Sequence, residues 1–324
     1  MAAAPPAATN CRTTAFVNKL SYSHSSAKMY EACPRQYWFK RFAGWNGWLR
    51  DAPPEKRRMW LLGKIKNRHM WKGTGVHTQI AWLVQSWREG KNPTIQEIQT
   101  RTLQTFRAQF IQSKGGDLFA NNTKAPALRE HVYGESVENS EWKSVVESAV
   151  KMLQDFVVSS IAAEIKAVPE SSWMAIENPD PALDKPSEFD LDGITVYAKL
   201  DAAWLIDDKT VLITDWKTGR GETSNGNGGD QLPLYALYVE RVWNLKAVCR
   251  EYHLSSGTST TWTPSAAEIS GAAEKIRTSM ERLRALTKET PAGVDAARED
   301  FPPAPARRVC RSCSYAELCP EAMR

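Results

Sequence analysis

The sequence lacks any run of about 18 apolar residues, and this absence excludes a membrane-spanning helix. Residues 1–10 are rich in alanine and proline, but they contain neither a basic segment nor a continuous apolar segment. This composition does not resemble a secretory signal peptide and predicts a disordered tail over residues 1–20. We therefore expect a cytoplasmic protein.

The sequence also has little excess charge. It contains 42 lysines and arginines and 37 aspartates and glutamates, which gives a net charge of +5. A balance of this kind permits a local basic groove but does not indicate one, so nucleic-acid binding has to be argued from individual residues. The 324 residues suggest one elaborated domain or two. Six cysteines in a reducing compartment favour metal binding over disulfides.

The periodicity of apolar residues divides the chain into a helical first half and a mixed second half. Asp207 and Asp208 separate two strand-like segments and predict a hairpin turn. The pattern predicts a mixed α/β core inside a helical shell. Helices are predicted at 21–42, from near Gly75, at 94–113, 139–165, 231–243 and 265–287, and strands at 172–177, 194–206, 210–217 and 246–254.

The most informative motif is T-D-W-K-T-G at residues 214–219, which follows an apolar segment. Asp215 and Lys217 are two residues apart on a strand and therefore point to the same face. Asp201 lies on the preceding strand, and a hairpin can bring it close to Asp215. Two carboxylates bind a hard cation such as Mg²⁺ or Mn²⁺, and Lys217 can orient a water molecule. The alternative is that both acids are solvated and Lys217 is their salt-bridge partner.

Three further features accompany this motif, and each has an ordinary packing alternative. The segment G-T-G-V-H ends at His77 on a predicted helix, where a histidine is commonly a packing residue. Gln231 and Tyr235 are four apart on another helix, as any helix face allows. Glu177 closes the strand before Asp201, where a solvated strand end is an equal alternative.

In this order and spacing, the segments resemble the PD-(D/E)XK nuclease superfamily in its RecB-like branch. The resemblance implies a restriction-endonuclease-like mixed sheet flanked by a helical shell, in a single domain over 21–324 with a helical insertion at about 88–170. No GxxxxGK[ST] motif is present, which excludes a helicase–nuclease fusion. Where the family often has G-x-i-D-R, this chain has alanine at 198 and 202, which affects local DNA contacts rather than metal binding. The implied roles are catalysis for Asp201, Asp215, Lys217 and Glu177, metal binding for His77, Asp201, Asp215 and the backbone carbonyl of Trp216, and DNA contact for Gln231 and Tyr235.

The cysteines form a second constellation. Cys310, Cys313 and Cys319 close the chain with short spacings that suit one metal centre, and Cys33 near the other end is a candidate fourth ligand. Spacing alone does not separate an iron–sulfur cluster from structural zinc. The segment around Cys33 and the spacing of the other three resemble RecB-like nucleases that carry a [4Fe-4S] cluster, such as AddB and CRISPR-associated exonucleases. Such a cluster would clamp the two ends of the chain together.

Basic residues give weaker signals for DNA binding. Arg35 lies beside aromatic residues on the first predicted helix, where the mixture suits a single-strand groove or, equally, a solvated helix face. Arg220 follows the T-D-W-K-T-G motif and is a candidate phosphate contact.

From these residues we predict a metal-dependent DNA exonuclease that acts on single strands or free ends. One alternative is a non-catalytic subunit that binds DNA ends in a repair or CRISPR spacer-acquisition complex. A second alternative is endonucleolytic trimming of an overhang.

Overall fold

The computed structural model of the chain describes residues 15–120, 122–180, 185–219, 229–291 and 293–322. Arg220, Cys11 and residues 1–14 of the predicted tail lie outside these ranges. Asn18, within the remainder of that tail, is buried and donates from Nδ2 to the carbonyls of Arg41 and Val294. Within the described ranges, no helix combines the length and apolarity that crossing a bilayer requires.

A mixed five-stranded sheet forms the centre of the fold. Its strand order is β2-β5-β6-β7-β8, and all neighbours are antiparallel except the parallel pair β6 and β7. The predicted hairpin at Asp207 and Asp208 joins β5 to β6 and is confirmed. The strands span Trp173–Ile176 (β2), Ala202–Asp207 (β5), Thr210–Lys217 (β6), Lys246–His253 (β7) and Thr258–Trp262 (β8).

Two smaller sheets and a set of helices surround this centre. The sheets have the orders β1-β4-β3 and β10-β9, with strands at Ser21–Ser23 (β1), Ser187–Leu191 (β3), Ile194–Ala198 (β4), Lys288–Thr290 (β9) and Gly293–Asp295 (β10). The first helices are His24–Ala32 (α1), Pro34–Trp38 (α2), Pro54–Leu62 (α3), Arg68–Arg88 (α4), Ile95–Gly115 (α5) and Asp117–Ala120 (α6). The others are Arg129–Val132 (α7), Asn139–Val157 (α8), Ser160–Ala167 (α9), Gln231–Tyr238 (α10), Ala266–Ala285 (α11) and Arg307–Ser312 (α12). Single π-helical turns at Phe39–Ala43 and Val239–Trp243 extend α2 and α10.

The two faces of the central sheet carry separate cores because side chains alternate along each strand. Val211 and Ile213 on β6 pack into one core with α10 and α11. Leu212 and Trp216 point to the other face, where they pack with α4, α8 and α9. The predicted mixed α/β core inside a helical shell is therefore confirmed.

Several predicted boundaries are wrong, and each has a local cause. Helix α4 begins at Arg68 rather than near Gly75, because the Asn67 side chain accepts a hydrogen bond from the Met70 amide and caps the helix there. The predicted helix over 139–165 is two helices, and Ser159 caps the second of them. The predicted strand over 194–206 is also two, β4 and β5, and Asp201 lies in the break between them.

Candidate active site and cysteine cluster

Two acids meet at the edge of the central sheet because their strands run antiparallel. Glu177 directly follows β2, and Asp201 directly precedes β5. The amide of Glu177 donates to the carbonyl of Asp201 over 2.9 Å, which extends the β2–β5 pairing by one residue. Their side chains are 11% and 9% exposed, so both carboxylates are largely withdrawn from water.

His77 on α4 completes this group. Its Nδ1 lies 3.4 Å from Glu177 Oε2 and 3.3 Å from Asp201 Oδ1. Its Nε2 lies 3.0 Å from the carbonyl oxygen of Trp216. The helix packs closely here, since a Cβ at Gly73, one turn before His77, would lie 3.0 Å from Thr218 Oγ1.

The three side chains present a conflict of hydrogen-bonding chemistry. The Trp216 carbonyl only accepts, so Nε2 of His77 must be its donor and the lone pair of a neutral ring lies on Nδ1. Nδ1 then faces two carboxylates that are also acceptors. Either a proton on His77 or a metal ion resolves this conflict. Burial alone would lower the pKa of His77, but the Asp201 and Glu177 carboxylates raise it well above its ordinary value.

The spacing of these atoms also fits a metal ion. The ligand atoms of His77, Glu177 and Asp201 all lie within 4.8 Å of one another, and no other group of three or more His, Cys, Asp or Glu in the described part of the chain is this compact. Ligands of an octahedral Mg²⁺ at about 2.1 Å are separated by about 3 to 4.2 Å. A nitrogen with two carboxylates is a donor set that suits Mg²⁺ or Mn²⁺.

Asp215 and Lys217 lie next to this group, at the end of β6. They point to the sheet face that carries α10, while Trp216 points to the other face and packs on Phe156 with ring centroids 5.4 Å apart. The Lys217 ammonium lies 2.6 Å from Asp215 Oδ2. Burial by itself would lower the pKa of Lys217, but Asp215 raises it above its ordinary value, so Lys217 is a cation rather than a general base.

Asp215 differs from the other acids in its burial and its partners. It is 3% exposed, and burial followed by repulsion from Asp201 raises its pKa. Asp215 is not part of the compact group of ligand atoms, whereas Glu177 is. The sequence had left Glu177 undecided between an acid near the metal and a solvated strand end.

Gln231 and Tyr235 form a chain of hydrogen bonds behind the site. Gln231 Oε1 accepts from Lys217 over 3.0 Å, and its Nε2 donates to Asp215 Oδ1 over 3.1 Å and to the Tyr235 hydroxyl over 2.8 Å. The Tyr235 hydroxyl donates in turn to the carbonyl of Lys199, and the residue is 4% exposed. These contacts lie inside the protein and orient Lys217, and DNA contact by either residue stays a prediction.

The remaining predicted site residues are less central. The Trp216 carbonyl is the hydrogen-bond partner of His77, and its binding to a metal stays a prediction. Arg35 is buried and donates from Nε to the carbonyl of Phe301 over 2.8 Å, at the cysteine cluster rather than at the acids. This position gives no support to a DNA contact by Arg35. Arg220 lies outside the described residues.

A second buried pair next to Lys217 was missed. Glu251 and His253 on β7 lie in register with Asp215 and Lys217 on the parallel strand β6. His253 Nε2 is 2.7 Å from Glu251 Oε1, and both residues are 6% exposed. The Glu251 carboxylate also contributes to the raised pKa of Lys217. The alternating E-Y-H at the end of a predicted strand was the available signal, but only the pairing of β6 with β7 shows that it adjoins the site.

The four predicted cluster cysteines come together in the fold. Cys33 at the start of α2 and Cys310, Cys313 and Cys319 all line one cavity and are free thiols. Burial, followed by repulsion from the other three thiols, raises the pKa of Cys313 to about 11, although the Tyr315 amide opposes this by donating to its sulfur. A metal centre would remove this repulsion by binding the thiolates. Four thiols around one cavity suit either a tetrahedral Zn²⁺ or an iron–sulfur cluster.

The sequence profile of the PD-(D/E)XK nuclease superfamily matches residues 21–320. Curated proteins give no match to this chain. Matching solved structures include the crystal structure of SSO0001, at 12% sequence identity and a TM-score of 0.30, with 60% of this chain and 80% of that chain covered. The profile spans nearly the whole sequence and contains every acid of the site, and the chain belongs to the PD-(D/E)XK nuclease superfamily.

Proposed function

We propose that this protein is a metal-dependent deoxyribonuclease of the RecB-like branch that degrades single-stranded DNA or DNA ends as an exonuclease. Superfamily membership supports a nuclease that uses divalent metals. The observation that carries the proposal is the convergence of His77, Glu177 and Asp201, whose ligand atoms lie within 4.8 Å of one another beside a lysine. The preference for DNA, for single strands and for ends rests on the resemblance of the motifs to that branch.

Each residue of the site has a distinct chemical role in this proposal. His77, Glu177 and Asp201 hold a divalent cation, which when bound polarises a phosphate oxygen and lowers the pKa of a nearby water. Lys217 remains charged and donates to the attacking water or to the phosphate as negative charge develops there. Asp215 and Gln231 hold the Lys217 side chain in place, because each lies within hydrogen-bonding distance of its ammonium. Gln231 also donates a hydrogen bond to Asp215.

The cysteines support the second half of the proposal, a [4Fe-4S] cluster bound by Cys33, Cys310, Cys313 and Cys319. All four line one cavity, and the segments that carry them resemble those of RecB-like nucleases with such a cluster. The cluster holds the ends of one domain together and takes no part in hydrolysis. The single domain over 21–324 is part of the same proposal.

The activity is tested with purified protein and internally labelled linear and circular single-stranded DNA, in Mn²⁺, in Mg²⁺ and in excess chelator. We expect the linear strand to be degraded in either metal, the circle to remain intact and the chelator to stop the reaction. Cutting of the circle would show endonuclease action, and binding without cleavage in every metal would show the non-catalytic alternative. Degradation of linear RNA but not DNA would contradict the proposed substrate.

Metal binding provides a separate prediction. Glu177→Gln keeps the size of the side chain but removes one charged ligand, and we expect it to weaken Mn²⁺ binding by roughly 10- to 100-fold. His77→Ala should have an effect of similar size. Titration of Mn²⁺ followed by its electron paramagnetic resonance signal measures this without reference to activity. Glu147→Gln on the exposed face of α8 is the matched control, and equal affinity of Glu177→Gln and this control would contradict the assignment.

A further inference from the structure

Three lysines lie together at the side of the active site and have no role in the chemistry above. Lys40 is in the π-helical turn after α2, and Lys64 and Lys66 are in the loop between α3 and α4. Within the described ranges, the hydrogen bonds of their ammonium groups all go to neutral oxygens. Lys40 donates to the Gly63 carbonyl, Lys64 to the Thr123 carbonyl over 2.7 Å and Lys66 to Thr74 Oγ1 over 2.9 Å. We call these three residues the lysine row.

The electrostatics of the lysine row are unfavourable as it stands. In the part of the chain that the structure describes, no carboxylate lies within 4.0 Å of any of the three ammonium groups. Desolvation, followed by repulsion from Lys64, Arg41 and Lys66, lowers the pKa of Lys40 to about 8. Desolvation likewise lowers the pKa of Lys64 and of Lys66. Each shift means that the protein around the lysines disfavours their charge, which a bound anion would favour.

The lysine row leads directly to the acids of the site. Lys66 bonds to Thr74, which lies on α4 one turn before His77. Lys66 is also close enough to Lys199 and Glu177 for both charges to affect its pKa. Lys199 contacts Glu177 over 2.5 Å. Positive charge thus continues from Lys40 and Lys64 through Lys66 to the Glu177 side of the proposed metal site, opposite the side that Lys217 occupies.

A purely structural role explains only part of this arrangement. The Lys64 ammonium lies 4.0 Å from the centroid of the Trp60 ring, a cation–π contact that stabilises the loop. Lys40 is exposed along much of its side chain, although its ammonium lies against the Gly63 carbonyl with protein around it. Lys66 is half-buried, and neither lysine has an ion-pair partner or a ring contact within the described ranges. Cations placed side by side without such partners are typical of a surface that binds phosphates.

We propose that Lys40, Lys64 and Lys66 bind consecutive phosphates of the substrate strand and lead it to the metal site along the side of Glu177. The inference rests on the proposed function, since it assigns a path to the strand that the site would cut. It makes Lys66 the member of the lysine row nearest to the scissile phosphate. The contacts are to phosphate alone, so they do not depend on base sequence.

The test measures binding of 5′-fluorescein-labelled dT20 by fluorescence anisotropy, in Ca²⁺ and across a range of salt concentrations. For Lys66→Gln we expect the Kd to rise roughly three- to tenfold, and the slope of log Kd against log salt to fall by about 0.7, the value for one phosphate contact on a single strand. Lys66→Arg should restore both, because arginine also binds phosphate. Lys151→Gln, at an exposed lysine of α8 paired with Asp155, is the control for net charge.

The outcomes separate the lysine row from the nuclease assignment. If wild-type protein binds and cleaves DNA but Lys66→Gln keeps the wild-type Kd and salt slope, the lysine row is wrong and the proposed function stands. If Lys66→Gln lowers the melting temperature and Lys66→Arg fails to restore binding, the lysine is structural and the inference is also wrong. If wild-type protein neither binds nor cleaves, the proposed function itself fails.

Discussion

Replacing Lys217 with methionine is expected to lower the rate of DNA cleavage by roughly 10²- to 10³-fold, the usual effect of removing one preorganised donor from a transition state. The ammonium is within 3.0 Å of both Asp215 and Gln231, so it is held in place before substrate arrives. Methionine keeps the length of the side chain and removes its charge. Single-turnover cleavage of labelled single-stranded DNA at saturating metal measures the effect.

The same substitution should leave metal binding nearly unchanged, but it removes the ion-pair partner of the buried Asp215 and should lower the melting temperature. Lys217 is 30% exposed at its side chain and is not among the three compact ligands. Lys246→Met, at an exposed position at the start of β7, removes a lysine from the neighbouring strand and should cleave at the wild-type rate. Cleavage by Lys217→Met at more than about a tenth of the wild-type rate would remove Lys217 from catalysis.

The arrangement of Lys217 could be predicted in part because strand periodicity is a strictly local property. A two-residue step fixes Asp215 and Lys217 on one face, and the structure has them 2.6 Å apart. Asp201 was predicted on a continuous strand, but the chain breaks there into β4 and β5. The break frees the Asp201 side chain to accept from the Trp216 amide over 2.8 Å while its other oxygen faces His77. Such a break depends on tertiary contacts that no local pattern encodes.

Glu177 and the lysine row show the limit of sequence information more clearly. A strand-end acid is ordinary until the antiparallel pairing of β2 with β5 brings it to Asp201. Lys40 and Lys66 are 26 positions apart in the sequence, and only the packing of the loop between α3 and α4 brings their charges within range of each other. Glu177 was left undecided and the lysine row was not recognised, because tertiary packing alone brings these residues to the site.

The second large effect concerns the cysteine cluster. Cys313→Ser is expected to remove the iron and the visible absorbance of anaerobically purified protein, and to lower its melting temperature by about 10–20 °C. The clamp joins Cys33 to Cys310, Cys313 and Cys319 and closes a loop of roughly 280 residues. The loss of entropy in the unfolded chain alone would stabilise the folded state by about 5 kcal/mol. That amount is comparable with the whole stability of many proteins, so part of the variant should be insoluble.

Cys249→Ala is the matched control, because Cys249 is a fully buried cysteine that lies in the core with α10 and outside the cavity. Its loss of packing should lower the melting temperature modestly, while iron content and absorbance stay at the wild-type level. Elemental analysis of wild-type protein that finds zinc and no iron would contradict the cluster. An iron-free Cys313→Ser variant that keeps the wild-type melting temperature would contradict the clamp instead. Two hydrogen bonds already hold this segment, since Arg129 donates to the Cys313 carbonyl and Tyr133 donates to the Ser314 carbonyl. In that case these hydrogen bonds and the stacking of Phe39 on Tyr315, with ring centroids 5.1 Å apart, would be sufficient to hold the C-terminal segment without a metal centre.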